Sequence, residues 1–141
     1  MDHVVYLDAK SKELHKIKVG LKSIILRGAQ GRKIPYGRVF PGDTLFFSDN
    51  DVSGIIHSKA QVEKVINSDK LTAEESHELI EKNKEQIQAD QTIFKRFGGK
   101  RYLVLISIKN FELIENFTFY RSQFSNMDDW ILVENIENVM F

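Results

Sequence analysis

Residues 102–108 are apolar at almost every position and place the strongest constraint on the fold. A run of this length without polar alternation is typical of a strand that is covered on both faces. Several further short β-type segments surround it, with too few helix patterns for a parallel, doubly wound sheet. The sequence therefore predicts an α+β fold, namely a small, mainly antiparallel β-barrel with two or more packed helices, in a single domain over residues 1–141.

Local patterns predict where these elements lie. Thr72 and Glu75 have the spacing of a capping box, which predicts a helix that runs from there to about Gln88. An earlier helix is expected after a cap at Asp8 or Ser11 and before Gly20, which suits a left-handed C-terminal position. Strands are predicted at residues 4–7, 24–26, 44–48, 102–108 and 111–119. Residues 55–66 contain one or two β-rich segments, and residues 131–133 form a last apolar stretch.

Charge is balanced in total but not along the chain. The sequence has 20 basic and 20 acidic residues, which argues against a uniformly basic nucleic-acid coat. Residues 1–40 nevertheless hold nine basic and three acidic residues, and residues 93–110 hold five basic and none acidic. If these two blocks meet in the fold, they form one basic face that is able to bind phosphate groups.

Other features narrow the setting and the chemistry. The chain contains no cysteine, which excludes disulfides and thiolate metal sites, and a reducing compartment is therefore expected. We expect a cytoplasmic protein without a membrane partner, since no apolar run approaches a membrane span and residues 1–6 lack a signal-peptide pattern. The four histidines lie far apart, so neither a metal nor another cofactor is expected.

The first basic block supplies most of the candidate binding residues. Lys22 and Arg27 flank the predicted strand, and their offset of five residues brings them together only if Lys22 lies in the turn before the strand or a bulge intervenes. Arginine forks bind phosphate oxygens, and a tyrosine ring stacks on an unpaired base. The following loop carries both residue types, in Arg32, Lys33, Tyr36 and Arg38, and the second block adds Lys95, Arg96, Lys100 and Arg101.

A third group of candidates lies near the C-terminal end. Asn126, Asp128, Asp129 and Trp130 together offer a ring for stacking and polar groups for the edge of a base. The only tryptophan of a small barrel is more often a core residue, with the two aspartates in a turn or cap. We therefore expect Trp130 to be buried.

The basic segment resembles the ASCH domain of the PUA-like superfamily. The resemblance rests on a helix ending in Gly-x-Lys, then apolar residues with an arginine, a basic loop and a Gly-Asp turn into a strand; the residues are Gly20, Lys22, Arg27, Arg32, Lys33, Gly42 and Asp43. It implies a PUA-like barrel with a cleft beside the Gly-x-Lys segment. It further implies that RNA, or a nucleotide-like small molecule, is the partner held there.

The resemblance leaves an enzymatic alternative open. A small branch of the family hydrolyses acetylated cytidine with a lysine, a threonine and a glutamate, so an N4-acetylcytidine-like nucleoside is a second candidate ligand, and Lys22 and Ser23 are candidate catalytic residues. Ile25 stands where the family has a polar residue, which weakens this alternative. The glutamate would come from the later helix, as Glu78, Glu81 or Glu85.

A third alternative is a protein-interaction domain that uses the acidic helix at residues 72–88. The sequence does not determine the oligomeric state.

Overall fold

The computed structural model describes residues 1–51, 53–119 and 129–139. Within these residues the strands are β1 (Asp2–Leu7), β2 (Ile24–Ala29), β3 (Thr44–Asp49), β4 (Ile55–Asn67), β5 (Tyr102–Thr118) and β6 (Trp130–Glu134). The helices are α1 (Glu13–Lys18), α2 (Ala73–Lys82), α3 (Lys84–Ile87) and α4 (Gln91–Phe97), and a short 3-10 turn spans Ile136–Asn138.

The six strands form one mixed sheet that curves into an open half-barrel. Their order is β2-β5-β4-β3-β1-β6, so β2 and β6 are the edge strands. Only the β1–β3 pair is parallel among these pairings, and the others are antiparallel. The predicted α+β fold with a mainly antiparallel, PUA-like barrel and packed helices is therefore confirmed.

Strand β5, which contains the apolar run at residues 102–108, is covered on both faces. Val104 and Ile106 of β5 pack into the core inside the sheet, together with Trp130. Leu103 and Leu105 point to the opposite side, where they pack in a cluster with residues of the helices α2 to α4. The expectation from the apolar run is confirmed, because helices cover one face and the sheet's own interior covers the other.

Each of the two predicted helices differs from its prediction at one end. Lys12 precedes α1 without a side-chain cap, so the expected cap by Asp8 or Ser11 was wrong; the Asp8 backbone N–H instead donates to Glu13 Oε1 at 3.1 Å. The capping box of Thr72 and Glu75 is present, but the helix that it begins ends at Lys82 with Asn83 as its C-cap, and a separate turn, α3, follows.

Helix α4 was not predicted. Asp90 caps it by accepting a hydrogen bond from the Ile93 backbone N–H at 3.0 Å.

None of the helices within the described ranges has the length and apolarity needed to cross a lipid bilayer.

Strand β5 is one continuous element where the sequence predicted two. It spans 17 residues, because bulges between β4 and β5 keep the two strands paired through the irregular stretch. The register of the β4–β5 pair shifts at three places along β4, between Ile56 and Ser58, between Lys59 and Gln61, and between Val62 and Lys64. These bulges disturb the alternation of side chains along the strand, and the sequence therefore indicated two strands, at residues 102–108 and 111–119.

Candidate functional site

A cleft of about 380 Å³ opens between the two edge strands of the half-barrel. Its volume lies within the range of about 300–1,000 Å³ that is usual for small-molecule sites. Strand β2, the loop after it, α4, the start of β5 and the start of β6 all contribute to its walls. The charged and aromatic side chains of the lining are Arg27, Lys33, Tyr36, Arg96, Phe97, Lys100, Tyr102, Asp129 and Trp130.

The cleft brings together the two basic blocks of the sequence. Arg27 and Lys33 come from the first block, and Arg96 and Lys100 come from the second. The pairing of Ala29 with Tyr102 in adjacent strands places the ends of the two blocks side by side. Four cations around one concavity create a positive potential that attracts anions such as phosphate.

One carboxylate lies among these cations. Asp129 is the only acidic residue among the described residues that line the cleft, and its Oδ2 accepts a hydrogen bond from Arg96 Nη2 at 2.8 Å. Both side chains are partly exposed, so this ion pair contributes little to stability. The main effect of Asp129 is electrostatic, because its carboxylate neutralises one of the four cations that line the cleft.

Aromatic rings form another part of the wall. The rings of Tyr36 and Tyr102 contact each other edge to face, with centroids 5.5 Å apart. The Tyr36 hydroxyl donates to the Ser68 carbonyl at 2.6 Å, which fixes the orientation of its ring. The Arg32 guanidinium lies over both rings, at 5.8 Å from Tyr36 and 5.6 Å from Tyr102. Such surfaces are suited to stacking against the flat face of a base.

Trp130 forms the buried part of the cleft wall and belongs to a polar chain. Its side chain is 1% exposed, and its Nε1–H donates to His3 Nδ1 at 3.1 Å. Because an indole can only donate, His3 Nδ1 must be the acceptor, so the ring proton is on Nε2 and is donated to Asp43 Oδ2 at 2.9 Å. Burial lowers the pKa of His3, against the opposing effect of Asp43, and this agrees with a neutral ring.

Arg27 connects the two sides of the open barrel. Its Nη1 donates to the Leu26 carbonyl at 2.8 Å, and its Nη2 donates to the Tyr6 carbonyl of β1 at 3.1 Å. The guanidinium also lies 5.9 Å from the Trp130 ring centroid. Two of its nitrogens are therefore occupied by backbone carbonyls, whereas the buried Nε has no hydrogen-bond partner among the residues that the structure describes. Arg27 is mainly a brace between β2 and β1.

Lys22 is buried beside Arg27 but outside the main cleft. It is 3% exposed, and its Nζ donates to the Ile87 carbonyl at 2.6 Å and lies 3.5 Å from Glu13 Oε2. The other oxygen of Glu13 lies 3.8 Å from Arg27 Nη2, so one carboxylate faces both cations. Lys22 precedes β2, and this satisfies the condition under which the sequence allowed it to approach Arg27.

Burial lowers the pKa of Lys22 to about 8, and Arg27 contributes in the same direction while Glu13 opposes both. Between pH 8 and 10.5 the unfolded chain therefore holds a proton on Lys22 that the folded chain has lost. The free energy of unfolding should accordingly rise with pH across this window, by roughly 3 kcal/mol from this group, and fall as the pH returns to 8.

Chemical denaturation of the wild type and of Lys22→Met from pH 7 to pH 11 measures this effect. The free energy of unfolding of the wild type should increase relative to that of the variant as the pH rises. Parallel profiles for the two proteins would contradict the lowered pKa.

The remaining candidates occupy different places. Lys22 lines only a cavity of about 30 Å³ next to the cleft, which it shares with Glu13 and Arg27. Arg38 and Ser23 are exposed and line neither cavity, and Ile25 is fully buried in the core. The later helices place Glu78, Glu81 and Glu85 on the surface, and the carboxylate next to Lys22 is that of Glu13. Asn126 and Asp128 lie outside the described residues.

Sequence reasoning missed Glu13, Phe97 and Tyr102. Glu13 and Ile17 are four residues apart, a spacing that puts both on one helix face, and Ile17 is a core residue. That spacing was the available signal that Glu13 is buried. Tyr102 was assigned only to a strand, and Phe97 lies on the helix that was not predicted.

The described residues offer no ready metal site. Among residues 1–51, 53–119 and 129–139, no three histidine, aspartate or glutamate side chains group as metal ligands would.

Comparison with solved structures places this arrangement in a known fold. The chain is similar to the crystal structure of the ASCH protein from Zymomonas mobilis, with a TM-score of 0.69 and 12% sequence identity over 97% of this chain and 90% of that one. Structures of a tyrosine-to-phenylalanine and a serine-to-alanine variant of the same protein give the same TM-score and identity, over 93% and 91% of their chains. No protein-family model and no curated protein matches the sequence. The likeness confirms the predicted ASCH fold.

Proposed function

We propose that this chain, which has the fold of the ASCH domain, binds RNA or a nucleotide in the cleft between β2 and β6. The observation that carries the proposal is the convergence of four cations and several aromatic rings on one concavity of about 380 Å³. Cations hold phosphate oxygens, and rings hold bases by stacking. A cleft of this size accommodates about one nucleotide, either free or unpaired within RNA.

The cations of the cleft are not equivalent in this role. Arg96 is paired with Asp129, and Arg27 donates to two backbone carbonyls. We assign the main phosphate contacts in this proposal to the two lysines that line the cleft, Lys33 and Lys100, because each ammonium group presents three donors. Arg32 lies on the Tyr36 and Tyr102 rings, where it adds positive charge next to the stacking surface.

The amidohydrolase alternative has less support from the geometry. Lys22 carries the lowered pKa that a base would need, but its cavity of about 30 Å³ has room for roughly one water molecule and not for a nucleoside. Ser23 is exposed and lines neither cavity. For the protein-interaction alternative, the exposed acidic face of α2 does not distinguish a solvated surface from one that binds a protein partner.

Lys33→Ala and Lys100→Ala should each weaken binding of a short single-stranded RNA about tenfold, because each removes a charge-assisted contact with phosphate. Each should also flatten the dependence of log Kd on log salt by about 0.7. Fluorescence anisotropy over a series of salt concentrations measures both quantities.

Two matched variants serve as controls. Lys64→Ala removes an exposed lysine from β4, and Arg38→Ala removes a cation of the basic loop that does not line the cleft. Both should bind as the wild type does. If the wild-type protein binds neither RNA nor nucleoside monophosphates at low salt, the proposed function is wrong; equal losses in all four variants would place binding outside the cleft.

A further inference from the structure

We infer that Asp129 makes the cleft selective for bases that carry an exocyclic amino group, a step that rests on the proposed function. Asp129 is the only carboxylate among the described residues of an otherwise cationic cleft. Negative charge at this place weakens phosphate binding in general, so it is better explained by a role toward the base. In the proposed function the phosphate binds at Lys33 and Lys100, which leaves Asp129 for the base.

The carboxylate is held in a defined position. Arg96 Nη2 donates to its Oδ2 at 2.8 Å, and the Asp129 backbone carbonyl accepts a hydrogen bond from the Tyr6 N–H at 2.9 Å. An ionised carboxylate offers about four acceptor positions, of which Arg96 uses one. The remaining acceptors lie next to Trp130 in sequence and in the wall of the same cleft. A base that stacks in the cleft therefore meets a fixed acceptor at its edge.

The chemistry of the bases then determines the preference. A carboxylate can only accept hydrogen bonds, so it binds the amino groups of cytosine, guanine and adenine. In uracil the single N3–H lies between two carbonyl oxygens, which the negative charge repels. In hypoxanthine the amino group of guanine is missing. A polar site that expects a donor discriminates against a ligand without one, because its acceptor is left unpaired on binding.

Two pairs of nucleotides isolate this contact. CMP and UMP differ in an amino group against a carbonyl and in an N3 acceptor against an N3–H donor, whereas GMP and IMP differ only in the amino group. Isothermal titration calorimetry at low salt should give about tenfold tighter binding of CMP than of UMP, and of GMP than of IMP. Within each pair the phosphate contribution cancels, so the ratio of the two Kd values reports the base contact.

Asp129→Asn should reduce both ratios to near one, because an amide presents a donor as well as an acceptor. Asp69→Asn removes one negative charge from an exposed residue that does not line the cleft, and should keep both ratios unchanged. Thermal unfolding of each variant verifies that the fold is intact, as expected for a partly exposed ion pair.

The outcomes separate the two proposals. If no nucleotide binds to the wild type, the proposed function fails. If nucleotides bind with ratios near one, or if Asp129→Asn strengthens all four equally, Asp129 only neutralises Arg96 and the inference about base selection is overturned while the binding function stands.

Discussion

Glu13→Gln should lower the free energy of unfolding by about 3 kcal/mol at pH 7, because the substitution leaves two buried cations facing a neutral amide. Glu13 is the carboxylate that faces both Lys22 and Arg27, and all three side chains are buried. Glutamine has the same shape and keeps an oxygen that can accept the hydrogen bond from the Asp8 backbone. The loss therefore measures charge rather than packing. Chemical denaturation followed by tryptophan fluorescence gives the free energy.

A double-mutant cycle identifies the source of the effect. Lys22→Met in the Glu13→Gln background should recover much of the loss, since it removes one of the two unpaired charges. Glu63→Gln, at an exposed position of β4, serves as the control and should change stability by less than about 0.5 kcal/mol. A loss below about 1 kcal/mol for Glu13→Gln would mean that water or other groups already solvate the two cations.

Trp130→Ala should destabilise the protein by about 4 kcal/mol, the second large effect that we expect. The side chain is almost fully buried, so its removal opens a cavity between the core and the cleft. It also takes away the donor to His3 Nδ1, which is buried and has no access to water. Chemical denaturation followed by far-UV circular dichroism tests this expectation, since Trp130 is the only tryptophan and its removal abolishes the fluorescence signal.

Trp130→Phe separates packing from hydrogen bonding. Phenylalanine fills most of the space but supplies no N–H, so the loss should be about 2 kcal/mol, near the cost of an unsatisfied buried acceptor. Phe40→Ala, which truncates a ring that is 58% exposed, is the comparison variant and should have little effect. If Trp130→Phe is as stable as the wild type, the hydrogen bond from Trp130 to His3 has no energetic importance.

The parts of the fold that were predicted correctly have signals within a few residues. The capping box needs only Thr72 and Glu75, and the apolar run at residues 102–108 indicates its own burial. Helix α4 escaped because its seven residues are too few to establish a helical period, although Asp90 is a suitable cap. The bulges of the β4–β5 pair changed the side-chain alternation, which made one long strand resemble two.

The candidate site was predicted less completely because its geometry depends on contacts between distant residues. The basic residues of the cleft are visible in the sequence, but their meeting depends on the pairing of Ala29 with Tyr102. Arg38 lies in the same loop as Lys33 and yet points away from the cleft, a difference that no local pattern indicates. The approach of Glu13 to Lys22 likewise depends on how α1 packs.

The contact between the first and last strands also bears on how the molecule folds. His3 and Trp130 are separated by 127 positions, and β1 pairs with β6 across a similar distance. Closing so long a loop costs more conformational entropy than forming the local β3–β4 hairpin, and contacts of this kind slow folding. We therefore expect β6 to join the sheet late and the cleft, of which it forms one wall, to be completed with it. Ligand binding would then report complete folding, and its appearance during refolding would mark the final step.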